Sequence, residues 1–179
     1  RDPRRLKSHK DFLATADLET ERLICDALKK DFPHIPFFGE EGSGDGTKSN
    51  PLVWVVDPLD GTINWFRGNT SWGVSIALVE HGVTVAGVIY LPASGELYSA
   101  TTHTPSTLQS IRHGETETFL KLTSSLLLAE ASILVGWGKE EHEGTDNANV
   151  IRLLDKLHRY SLYPQIINSA VWSAMMIVR

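Results

Sequence analysis

The sequence predicts a layered α/β fold of the α+β sandwich type. Paired helices cover a largely antiparallel sheet, and the start of a second α/β half follows. Three observations predict it. Residues 17–30 carry an apolar stripe at helical spacing, with Leu23, Ile24, Ala27 and Leu28 on one face. Short β-rich runs joined by turn residues fill positions 53–100. A strand and two helical patterns then occupy positions 133–178.

In chain order, residues 1–16 are basic and then mixed, and read as a loop or the tail of an earlier element. Asp17 falls in the first turn of the 17–30 helix, where a carboxylate suits the helix dipole, and Pro33 marks the far end. Residues 35–38 form a short apolar strand that stops at Gly39-Glu40-Glu41. Residues 42–51 are glycine-rich and polar, the composition of a flexible surface loop. Val53, Trp54, Val55 and Val56 form a buried strand that Pro58 terminates. Residues 72–79, 83–91 and 96–100 are three further strands. Glu80-His81-Gly82 and Pro92-Ala93-Ser94-Gly95 between them are turn chemistry, so the strands form an antiparallel meander.

Residues 102–123 are polar and lack a regular pattern. Residues 133–137 read as a strand and 139–144 as a charged loop. Residues 147–160 are helical, with Val150, Leu153, Leu154 and Leu157 inward and Thr145 or Asp146 as cap. Asn168 or Ser169 caps a last helix containing Val171, Ala174, Met175 and Val178, which runs to the end of the chain still apolar. That pattern favours a fragment, divided into an N-terminal α+β half over residues 1–123 and the truncated start of a second half over 124–179.

The chain has 179 residues, a net charge of −5 and one cysteine. This length supports a real core and about one domain. Cys25 has no partner, which excludes a disulfide framework and points to a reducing, cytoplasmic compartment with a buried structural thiol. No apolar run reaches the ~18–20 residues that span a bilayer. The acidic balance argues against a nucleic-acid backbone footprint. The seven histidines show no ligand spacing and read as surface or turn residues. Trp72, Trp137 and Trp172 read as core, and Trp65 as a neighbour of the site.

The chemistry concentrates in the 54–65 run, which contains Asp57-Pro58-Leu59-Asp60-Gly61-Thr62. A buried strand delivers Asp57 to its end, and Asp60 can face the same space. Two carboxylates this close repel unless a cation or proton intervenes. With the Leu59 carbonyl they offer all-oxygen ligation for a hard ion, Mg²⁺ or Ca²⁺. Gly61 and Thr62 amides opening a helix or nest would bind phosphate. Glu40-Glu41, also after a strand, add two carboxylates, the make-up of a Mg²⁺ site for phosphate esters. The simpler alternative for each motif is a solvated acidic turn.

These residues resemble the inositol monophosphatase family, within a superfamily that includes fructose-1,6-bisphosphatases and bisphosphate nucleotidases. The resemblance rests on Leu13-Ala14-Thr15-Ala16-Asp17 with Glu21, Gly39-Glu40-Glu41 and the 54–65 run. Ser71-Trp72-Gly73-Val74-Ser75-Ile76-Ala77 and Gly87-Val88-Ile89-Tyr90 add to it. It is strong over residues 11–100 and weak beyond 102. It implies αβαβα layers, incomplete at the C-terminal end. It implies that Glu40, Asp57 and the Leu59 carbonyl hold a first Mg²⁺, that Asp57 and Asp60 share a second, and that Glu40 contacts a weaker third. Asp17 and Thr62 would activate the attacking water, while Asp60, Gly61 and Thr62 would bind substrate. Asn64 and Trp65 fit the inositol phosphate branch. Inhibition by Li⁺ and a homodimer are implied as well.

The family's later Trp-Asp motif, whose aspartate serves the second Mg²⁺, has no counterpart among these residues, and Asn168-Ser169-Ala170 stands where Gly-Thr/Ser-Ala is usual. The expectation is therefore a Mg²⁺-dependent phosphomonoesterase whose substrate is inositol monophosphate. This polypeptide alone would be weak or inactive. Histidinol phosphate, fructose 1,6-bisphosphate and adenosine bisphosphate are the alternative substrates. The rivals from other classes are a non-catalytic divalent-cation or phosphate-binding protein and a plain acidic-turn scaffold. No nucleic acid and no membrane partner is expected.

Overall fold

The structure is a computed structural model that describes residues 9–111, 114, 118–119, 129, 132–135, 147–160 and 163–177. The chain runs α1 (His9–Asp31), β1 (Phe37–Gly39), β2 (Leu52–Asp60), α2 (Thr62–Phe66), β3 (Gly73–Glu80), β4 (Val83–Leu91), β5 (Glu96–Thr101), β6 (Thr107–Ser110) and β7 (Thr118–Phe119). It continues through β8 (Ser132–Val135), α3 (Asn147–Tyr160), β9 (Tyr163–Ile166) and α4 (Ala170–Ile177). Strands β1 to β7 form one sheet in sequence order, and β8 pairs with β9 in a second. Among the described residues, β1 on β2 and β8 on β9 are parallel and the other pairings are antiparallel.

Alternation along the strands sorts the side chains into two cores, which makes a sandwich of α1, sheet and α4. Val56 pairs with Ile76, so both point to one face, and with Phe37 and Trp54 they pack against Ile24, Cys25 and Leu28 of α1. Ile89, Tyr98 and Leu108 pair across β4, β5 and β6 and share the opposite face. There they meet Val171, Trp172 and Met175 of α4 together with Leu91. The β3–β4 connection is a two-residue turn in which both His81 and Gly82 have positive φ, the twist that suits an antiparallel hairpin.

Several expectations need correction. The first helix begins at His9 rather than Asp17, because nothing between them breaks a helix; residues 1–8 lie outside the described residues. Its apolar stripe faces inward only in part: Ile24 and Leu28 pack in the α1 core. Leu23 is 71% exposed and Ala27 is exposed, while Asp17, Glu21 and Cys25 are buried at i, i+4, i+8. Apolarity placed Ile24 and Leu28 but missed the two inward carboxylates, which are surrounded by donors and by one another's charge. The loop after Glu41 folds back on β1: Gly46 N donates to the Phe37 carbonyl at 2.8 Å, and Phe37 N donates to Asp45 Oδ1 at 3.1 Å.

The patternless 102–123 region contains β6 and β7, which extend the sheet edge. A further strand, β9, lies where none was expected. In α3, Leu153 is 50% exposed rather than inward; of the other elements, β9 is the one α3 chiefly touches. Cys25 is a buried free thiol as read from the sequence. Trp172 packs in the second core, Trp72 is half-buried, and Trp137 lies outside the described residues, as do Thr145 and Asp146.

Candidate metal centre

The carboxyl ends of the parallel strands β1 and β2 open side by side. Glu40 N donates to the Val56 carbonyl at 3.1 Å, so the residue after β1 sits beside the end of β2. Strand β2 does not stop at Pro58, contrary to the sequence reading. It continues to Asp60 through an irregularity: Asp57 pairs with Ser75 and Asp60 with Gly73. Three steps on β2 therefore oppose two on β3, which is a bulge. In a regular strand, residues three apart face opposite sides. The extra residue restores the phase and turns Asp57 and Asp60 to the same side. Pro58, fully buried, occupies the bulge, one of the few places in a sheet that tolerates proline. Leu59 N donates to Asp57 Oδ1 at 3.0 Å and fixes that carboxylate.

An open cleft of about 390 Å³ is lined by Glu40, Asp57, Lys48 and Ser75 among others. Burial, followed by the charges of Glu40 and Asp60, pushes the Asp57 carboxyl up to about 7. Asp17 on α1 is pushed up to about 6, by burial first and then by Glu41, Glu40 and Glu21. Burial and the charges of Glu40 and Glu21 also raise Glu41. Two acidic groups thus share Glu40: one with Asp57 and Asp60, the other with Asp17, Glu21 and Glu41.

Gly61 caps α2 in the left-handed region, with φ 85°. A side chain here would have its Cβ 2.9 Å from the Ser71 carbonyl oxygen and 3.0 Å from the Ser169 Cβ, so glycine is required twice over. The Thr62 hydroxyl donates to the Leu59 carbonyl at 3.0 Å. Asp60 reaches across the chain to the start of α4. Its Oδ2 accepts hydrogen bonds from Val171 N at 2.9 Å and from the Ser169 hydroxyl. Ser169 is itself the N-cap of α4, with its Oγ accepting from Trp172 N at 3.1 Å. Asn64 Nδ2 donates to the Ser71 carbonyl at 2.7 Å and to the Asn168 carbonyl at 3.4 Å.

A family model described as the inositol monophosphatase family matches residues 3–178. The chain belongs to that family. Among curated relatives, the Nus factor SuhB of Xylella fastidiosa is 42% identical over 94 residues, which are 52% of this chain and 34% of that protein. The inositol-1-monophosphatase of Rhizobium meliloti is 40% identical over 95 residues, 53% of this chain and 36% of that protein. Among solved structures, Mycobacterium tuberculosis SuhB superposes with a TM-score of 0.80 at 30% identity, covering 94% of this chain and 63% of that one. The inositol monophosphatase from Anabaena gives 0.79 at 25% identity, over 94% and 64% respectively. The chain thus matches about a third of the length of these curated relatives and under two thirds of the solved chains. The mixed α/β fold agrees with the layered sandwich read from the sequence.

In this inositol monophosphatase family chain, the structure brings Glu40, Asp57 and Asp60 together and sets Asp17 against Glu40 from the helix side. Leu59 and Thr62 face each other through one hydrogen bond, and a carbonyl oxygen so engaged keeps a second lone pair. Among the described residues, no three Asp, Glu, His or Cys side chains already close on a single ion position. The donor chemistry nevertheless fits a hard cation. A bound cation would offset the burial and the neighbouring acidic charges that raise Asp57, Asp17 and Glu41. Two residues with clear positions here received no site role from the sequence. Glu21 is signalled by its i+4 spacing from Asp17. Ser169, read only as a cap, has no local signal for its bond to Asp60.

The acidic cluster has a consequence for stability. Between the ordinary carboxylate value of 3.8 and about 7 for Asp57, or about 6 for Asp17, the folded chain binds more protons than the unfolded one. Stability from these groups is present at low pH and lost as pH rises through the folded values. The thermal midpoint of the metal-free chain is expected to fall between about pH 5 and pH 8, and Mg²⁺ at pH 8 to recover part of that loss. A midpoint that rises monotonically over this window without metal would contradict it.

Proposed function

We propose that this chain carries the metal-binding part of a Mg²⁺-dependent phosphomonoesterase acting on a small phosphorylated metabolite, with inositol monophosphate the first substrate. One observation carries the reading. A bulge within β2 points Asp57 and Asp60 to one side, next to Glu40, in a family in which relatives are named inositol-1-monophosphatase. Glu40, Asp57, Asp60 and the Leu59 carbonyl would hold Mg²⁺. Bound there, Mg²⁺ would make water a stronger nucleophile and offset charge on phosphate oxygens. Thr62 and Asp17 would orient and activate the attacking water, with the Asp17 carboxylate as the group that accepts its proton. The backbone at Gly61 and Thr62, with Asp60, receives the substrate. Sensitivity to Li⁺, a cytoplasmic location, a homodimer and the division at residue 123 belong to the same proposal. No helix among the described residues is long and apolar enough to cross a membrane.

The test is phosphate release over inositol monophosphate, histidinol phosphate, fructose 1,6-bisphosphate and adenosine bisphosphate, with and without Mg²⁺. Mg²⁺-dependent release, greatest for inositol monophosphate, is expected. Divalent-ion binding without turnover on any of the four would favour the non-catalytic reading. Some relatives carry the name Nus factor SuhB, which gives that outcome a specific interest.

A further inference from the structure

The most deeply buried charged group described in the molecule is Glu21, with no exposed surface, and the reaction chemistry above does not use it. A carboxylate cannot be taken out of water without compensation. Among the described residues no cation supplies it; three hydrogen-bond donors of one turn do. Oε2 accepts from Glu41 N at 2.9 Å, and Oε1 accepts from Ser43 N at 3.0 Å and from the Ser43 hydroxyl. The carboxyl group lies flat against Gly39, where an added Cβ would stand 2.1 Å from its Cδ. The turn is therefore held at both ends of residues 39–43, by a residue from a helix twenty positions earlier in sequence.

That turn carries Glu40. Its backbone is pinned to β2 through the Val56 carbonyl, and its flanks are pinned to α1 through Glu21. Asp17, one turn before Glu21 on the same helix face, is thereby set in register with Glu40. We infer that Glu21 is a positioning residue: its carboxylate fixes the 39–43 turn so that Glu40 faces Asp57 for metal binding. This deepens the proposed metal site and rests on it. The bonds run from a helix interior to amides of a distant loop, so they add nothing to either element alone and serve their mutual placement.

The test compares Glu21→Gln and Glu21→Ala with the unaltered chain. Both remove the charge, but only glutamine keeps a carbonyl acceptor for part of the turn. Mn²⁺ affinity, read by electron paramagnetic resonance of the free ion, is expected to fall at least about tenfold in Glu21→Ala and at least threefold less in Glu21→Gln. Amide hydrogen exchange of residues 39–43 should accelerate in the same order. Cys25→Ser, on the same helix and in the α1 core, serves as the control for general destabilisation, and should leave both the affinity and exchange in the turn near native. Equal losses for glutamine and alanine would reduce the effect to charge and overturn positioning. So would an equal loss in the control, or unchanged exchange in a folded Glu21→Ala. If the unaltered chain binds no Mn²⁺, the metal reading fails and the positioning role falls with it. Exchange then still reports whether Glu21 orders the turn.

Discussion

Asp57→Asn should make the metal-free chain more stable at pH 8 while nearly abolishing its divalent-ion chemistry. The two effects have opposite signs because they have one cause. The Asp57 carboxyl is half-buried, faces Glu40 and Asp60, and is pushed up to about 7, so its ionised form is disfavoured in the absence of a cation. Asparagine keeps the shape and one oxygen to accept the Leu59 amide, and it removes the repulsion. Above pH 7 the thermal midpoint should therefore rise, and the gain should shrink as pH falls below about 7 and vanish only well below 3.8, where aspartate is protonated in both states. The loss on the other side is larger. A ligand charge at a metal that stabilises a developing phosphate charge supplies several kcal/mol. At about 1.4 kcal/mol per decade, about 4 kcal/mol corresponds to roughly a thousandfold in any Mg²⁺-dependent phosphate release. Calorimetry with and without Mg²⁺ and the phosphate assay read the two signs separately. A variant destabilised at pH 8 yet unimpaired in metal binding would place Asp57 in the core and not in the site.

Gly39→Ala should be strongly destabilising. Gly39 pairs with Val56 at the end of β1, and its Cβ would lie 2.1 Å from the Glu21 Cδ and 2.2 and 2.4 Å from the two carboxylate oxygens. Surface side chains yield to such contacts, but Glu21 is fully buried. Two movements can relieve the overlap. Either the carboxylate withdraws and loses its three donors while still buried, or β1 separates from the helix and opens the core around Phe37 and Cys25. Breaking a buried charge away from its partners costs about 3–5 kcal/mol, a large share of the ~5–15 kcal/mol that stabilises a domain. Denaturant unfolding should show a loss of this size. In a double-mutant cycle, Glu21→Ala should recover much of it, because the methyl group then fills space the carboxylate vacated. Simple additivity of the two losses would mean that they do not meet.

The contrast between these variants follows how the site is encoded. The strand-bulge-helix segment from Val53 to Asn64 was legible residue by residue. Its carboxylates, glycine and threonine are adjacent in sequence, and Pro58 announces an irregularity. What the sequence could not tell was the kind of irregularity. Proline reads as a strand stop, whereas pairing with β3 keeps the strand going through a bulge, and only that pairing gives the phase that aligns Asp57 with Asp60. The same limit explains α1. Local hydrophobicity places Ile24 and Leu28 inward but also selects Leu23, which is exposed, and burial of Glu21 makes sense only once the Glu41 and Ser43 donors are in place.

The sequence by itself determined the family, the meander of β3 to β5 and the acidic residues beside the cleft, because each is written in short motifs and local patterning that can be read without knowing the fold. Tertiary structure decided the rest. It turned Glu21 inward, folded the 42–51 loop back on β1, and bound Asp60 to the cap of α4 at Ser169, more than a hundred residues away. Buried polar groups must find donors and acceptors wherever the fold brings them, and the sequence carries no local record of a partner that only the folded chain makes near.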